Sequence, residues 1–151
     1  MKIWKFAFIA SAALSTSIMA AAVVNPVFQQ RQDNFKGLGK AMKGVMDEFK
    51  KPAPDMAVIK ANANVLAASA SKVARQFPKG TGPEAGVKAD ALPAIWEKPA
   101  DFKLAASRLV AATRDFKSAS ATGDIAKVRV AMGAVGQACK GCHDNFRKPR
   151  S

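Results

Sequence analysis

The chain has 151 residues, 24 basic against 11 acidic, for a formal net charge of +13, with 49% apolar residues, one histidine, two cysteines and no tyrosine. That length supports one domain with one core. The charge would favour acidic partners, anionic surfaces or nucleic acid, but the basic residues are spread along the chain without interleaved aromatics, the pattern of a solvated surface rather than of a nucleic-acid site.

The opening "MKIWKFAFIASAALSTSIMA" carries Lys2 and Lys5, then an apolar stretch from about Phe6 to Leu14, then small residues. This is the layout of a secretory signal peptide over residues 1–20, cleaved after Ala20 or Ala22. A membrane anchor is the rival reading, but the apolar run is short and interrupted by Ser11, Ser15, Thr16 and Ser17. The expected mature chain, residues 21–151, is a soluble exported protein of the periplasm. Without Lys2 and Lys5 its charge falls from +13 to +11.

Four segments then repeat at helical period. The first starts near "NPVF", with Asn25 placed to cap and Pro26 to occupy the first helical position. Its stripe is Phe28, Phe35, Leu38, Met42, Val45 and Phe49, and Pro52 and Pro54 end it. The second stripe is Met56, Ile59, Ala63, Leu66, Ala70, Val73 and Phe77. From Pro78 to about Pro99 a stretch rich in proline and glycine reads as a long connection, with Leu92, Ile95 and Trp96 to pack it back on the body. The third stripe is Phe102, Leu109 and Phe116, with Gly123 as a stop and Asp124 near the next start. The fourth is Ile125, Val128, Met132, Val135, Cys139, Cys142 and Phe146. The expected fold is all-α: an antiparallel up-down-up-down four-helix bundle with a long connection between the second and third helices.

Both cysteines and the histidine fall in "GQACKGCHDNF". Cys139, Cys142 and His143 span about 100° of one helix face and continue the buried stripe. C-x-x-C-H in an exported chain is the attachment pattern of a c-type haem: two thiols one turn apart can bond the two vinyl groups of one porphyrin, and the adjacent imidazole supplies the axial ligand to iron. A structural zinc site would want four ligands. A thioredoxin-like dithiol would want a preceding strand, and a disulfide between consecutive turns would constrain little. The expected cofactor is one haem c per chain, bonded through Cys139 and Cys142, with His143 on the metal. With no second histidine, the sixth position falls to a methionine, of which Met42, Met46, Met56 and Met132 lie on helices, or stays open; core packing is the ordinary use of each methionine.

"CKGCHDNFRK" at the close, "RQDNF" on the first helix and "IW" before the third resemble the cytochrome c′ family over essentially the whole mature chain. The resemblance implies a five-coordinate, high-spin haem whose distal face is closed by an apolar residue of the first helix, which aligns with Phe35. It implies an arginine near a haem propionate at Arg31, and another on the proximal side at Arg147, which also shares the His143 face four residues on. Low-spin relatives place a methionine on the first helix, so Met42, one heptad beyond Phe35, is the candidate for a closed site.

The resemblance further implies binding of nitric oxide and an antiparallel homodimer through the first two helices. An apolar distal face offers no hydrogen bond to dioxygen and favours nitric oxide and carbon monoxide. Electron transfer to an acidic redox partner is the alternative function. No distal acid–base pair is available, so catalysis is not expected.

Overall fold

A computed structural model of the chain describes residues 26–86 and 89–149. The signal segment and the Asn25 cap lie outside these described residues. Four long helices, α1 (Pro26–Glu48), α2 (Met56–Ala70), α4 (Pro99–Ala121) and α5 (Ile125–Phe146), form the bundle, and a single helical turn, α3 (Ala94–Glu97), sits in the long connection. Among the described residues there is no strand, only an isolated antiparallel bridge between Ala91 and Arg147.

Local chemistry sets the helix ends. Glu48 ties the turn after α1: its carboxylate accepts from Lys51 Nζ at 2.6 Å and from the Asp55 N–H at 2.9 Å. Asp55 then caps α2, accepting from the N–H of Ala57 at 2.8 Å and of Val58 at 3.4 Å. The second stripe does not continue as one helix. After Ala70 the chain tightens into a 3₁₀ turn, Val73–Gln76, whose three-residue period still delivers Val73 to the core and Phe77 to its edge. Pro99 takes the first position of α4, where a missing N–H costs no hydrogen bond. Gly123, at φ +76°, stops that helix, and Asp124 caps α5 by accepting from Ala126 and Lys127.

The core joins Val45 of α1, Ile59, Ala63 and Leu66 of α2, Phe102, Ala106 and Phe116 of α4, and Val128, Met132 and Val135 of α5. The stripes therefore face inward as their spacing requires. Packing runs α1 on α2, α2 on α4 and α4 on α5. The pair that would close the ring, α1 and α5, forms no comparable interface. Just past the end of α1, Arg129 of α5 donates to the Phe49 carbonyl at 2.9 Å and stacks over the Phe49 ring at 4.5 Å. The other end of this seam is where the first half of α1 faces the last turns of α5.

Candidate functional site

The last turns of α5 carry Cys139, Cys142 and His143, all half-buried. The two sulfurs are unbonded to each other and pack against the core. Burial pushes both thiols above the usual range; for Cys142 the neighbouring Cys139 adds to this and Arg147 opposes it. Each therefore keeps its proton at neutral pH and is no activated thiolate.

Arg147 departs from the sequence expectation in its backbone. α5 ends at Phe146, and Arg147 is extended, at φ −130° and ψ 141°, because the chain turns aside to pair with the long connection. Its guanidinium still reaches His143, with Nη1 3.5 Å from Nε2, too long for more than a weak contact. Its Nε is buried and has no hydrogen-bond partner.

Arg31 is only 4% exposed. Its Nη2 donates to the Thr81 carbonyl at 2.8 Å, and the guanidinium lies over the rings of Phe77, at 4.5 Å, and Phe28, at 5.2 Å. Burial lowers its pKa and the field of Glu84 raises it. No carboxylate of a described residue forms an ion pair with it. Its charge is thus met by carbonyl oxygen and ring faces.

Phe35 is 37% exposed and meets Phe77 edge-on at 6.1 Å. Phe77 meets Phe102 at 5.0 Å, and Phe102 meets Phe146 at 5.4 Å, so a chain of rings leads from α1 to the end of α5. Trp96 joins it at 6.0 Å from Phe77 and donates from Nε1 to the Pro78 carbonyl at 2.9 Å. Met42 packs against the core, about 10 Å along α1 from Phe35 at 1.5 Å per residue. Sequence reasoning placed Phe77 on the second stripe and Trp96 in the long connection that packs back on the body, without giving either a part here. It missed Asn34, Gln76 and Thr81: Asn34 donates to Gln76 Oε1 at 2.9 Å and to the Ser69 carbonyl at 3.1 Å, binding the first half of α1 to the end of α2. These are contacts between residues 35 to 50 apart, which no local pattern announces.

The residues present fit a haem. Two protonated thiols one turn apart, an adjacent imidazole and a buried arginine N–H without an acceptor gather where the α1–α5 seam is open. Two surface hollows of about 500 Å³ lie off the site, one lined by Met56, Lys60, Asn64 and Thr122 and one along the glycines of α5, and neither contains a sulfur of the cysteine pair or the imidazole.

Comparison with known proteins gives a consistent picture. The sequence model of the family described as Cytochrome C′ matches residues 26–147. A cytochrome c′ of Rubrivivax gelatinosus is 44% identical over 69 residues, 46% of this chain and 54% of that protein, so this match spans about half of that relative. A cytochrome c′ of Pararhodospirillum photometricum is 32% identical over 121 residues, 80% of this chain and 94% of that one. Among solved structures, the nitric oxide complex of a leucine-to-alanine variant of cytochrome c prime from Alcaligenes xylosoxidans is similar with a TM-score of 0.74 at 32% identity, covering 83% of this chain and 95% of that chain.

Proposed function

The chain belongs to the cytochrome c′ family, with haem c as its cofactor, and on that premise we propose that it is an exported gas-binding cytochrome. His143 would be the sole protein ligand of its iron, and Phe35 would cover an apolar face open to nitric oxide or carbon monoxide. When bound, the haem supplies an iron centre able to take a diatomic ligand and to change oxidation state by one electron.

The chain's own residues do the rest. Cys139 and Cys142 fix the group covalently, and His143 holds the metal from the α5 side. Arg147 packs against that imidazole and brings a buried donor toward the site. Arg31 serves the propionate side of the haem, its charge kept inside by Thr81 and the Phe77 ring. Phe35 excludes water and offers no hydrogen bond, so polar ligands gain nothing there. The observation that carries this reading is that Phe35, a half-exposed ring, begins a chain of edge-on ring contacts through Phe77 and Phe102 that ends at Phe146, three residues after His143. The packing of Met42 into the core supports an open sixth position.

Residues 1–20 would direct export and be removed, which N-terminal sequencing of the mature protein checks. A homodimer through α1 and α2 is supported by Met46, Val58 and Val65, apolar and exposed on those helices. The deciding experiment is the absorption and spin-state spectrum of the mature protein, ferric and ferrous, with and without carbon monoxide. A high-spin spectrum that shifts with the gas is expected. A low-spin spectrum indifferent to it overturns the proposal in favour of an electron carrier closed by Met42.

A further inference from the structure

We infer that the pairing of Asp90–Leu92 with Phe146–Lys148 is a positioning clamp for Arg147, and that this clamp holds the guanidinium against the His143 ring. The inference rests on the reading of His143 as the iron ligand. Three observations carry it. First, α5 stops at Phe146 and Arg147 has extended backbone, so the helix does not place this side chain. Second, two backbone hydrogen bonds flank Arg147 on either side: the Leu92 N–H donates to the Phe146 carbonyl at 3.0 Å, and the Lys148 N–H donates to the Asp90 carbonyl at 2.7 Å, with Ala91 bridged to Arg147 between them. Third, the side chain so placed is committed inward, with Nη1 3.5 Å from His143 Nε2 and Nε buried without an acceptor.

The clamp is itself anchored. Past Leu92 the chain turns directly into α3, with the Ile95 N–H donating to the Leu92 carbonyl and Ile95 buried in the core. Trp96, one residue further, meets Phe77 edge-on, which touches Phe35. The long connection therefore holds Arg147 on the His143 side and braces the rings behind Phe35 on the other. An arginine on an unpaired extended segment would sample many rotamers; the two bonds remove that freedom before any ligand binds.

The test uses the haem-loaded protein. Lys148→Pro deletes the donor to Asp90 without altering any site residue, and Leu92→Pro deletes the donor to Phe146 and decides the matter if Lys148→Pro fails to fold. Two readouts are taken beside far-ultraviolet circular dichroism: the iron–histidine stretching band of the ferrous protein, and hydrogen exchange at Arg147 Nε–H by nitrogen-15 resonance in the carbon monoxide form. With helix content unchanged, exchange should accelerate by about tenfold or more, and the stretching band should move in the direction that Arg147→Ala moves it. Parent-like exchange and an unmoved band in a folded clamp variant overturn the inference. If the parent itself shows no five-coordinate histidine band, the reading of an open iron fails instead, and the exchange rates still decide the clamp.

Discussion

Phe35 does its proposed work by moving. A ring 37% exposed, touching Phe77 only edge-on, can swing toward water at modest cost, and each 1.4 kcal/mol of that cost slows ligand entry about tenfold. Phe35→Ala should accordingly raise the carbon monoxide association rate by about tenfold in flash photolysis, and an unchanged rate would mean that the ring is not in the path. Gly82 is constrained differently. Its backbone needs no glycine conformation, but a Cβ there would come within 2.8 Å of the Trp96 ring, which is held by its own hydrogen bond to Pro78. Gly82→Ala should cost about 1–3 kcal/mol, read in thermal unfolding, with the strain showing as altered Trp96 fluorescence. The resemblance singled out Arg31, yet its partner within the chain, the Thr81 carbonyl, could not be read because it lies 50 residues away.

At the scale of elements the helices announced themselves and their ends largely did too. Stripes at three- and four-residue spacing found the inward faces, Gly123 and Asp124 the α4–α5 turn, and the prolines the break after α1. The Asp55 cap follows the same chemistry: Asp55→Ala should destabilise the protein by about 1 kcal/mol in thermal or urea unfolding. What periodicity could not supply was the end of α5. Counting four residues on from His143 put Arg147 on a helix face, whereas a pairing with Asp90–Leu92, more than fifty residues earlier in the chain, draws it off the helix.

The turns also make the fold acid-sensitive. Lys43 and Lys50 hold Asp47 down at about 2, Lys51 and then the Asp55 N–H hold Glu48 low, and the Lys127 N–H holds Asp124 low. A carboxylate depressed on folding contributes its stability in full above the unfolded value, near 3.8 for aspartate, and loses it as pH falls through the folded one. The melting temperature should therefore drop between about pH 4 and pH 2, less steeply in high salt because Asp47 is screened. A flat profile over that range would contradict these assignments.

For the whole molecule, an excess of 24 basic over 11 acidic residues would speed encounter with any anionic partner at low ionic strength and would do so less as salt is added. Self-association must work against the same charge, so it depends on apolar contact. Val65→Lys, on an exposed position of α2, should lower the dimer fraction in sedimentation, whereas equal fractions would move the interface elsewhere. The incomplete ring of helices also bears on the order of assembly. α1 with α2 and α4 with α5 are hairpins of neighbouring segments, and the α2–α4 contact joins them; only the α1–α5 seam would bring together the two extremes of the described chain. Closing so long a loop carries the largest entropy cost and comes late in folding. Because three interfaces already enclose a core, the polypeptide need not wait for that last closure to set Arg31 on one side of the seam and Cys139, Cys142 and His143 on the other.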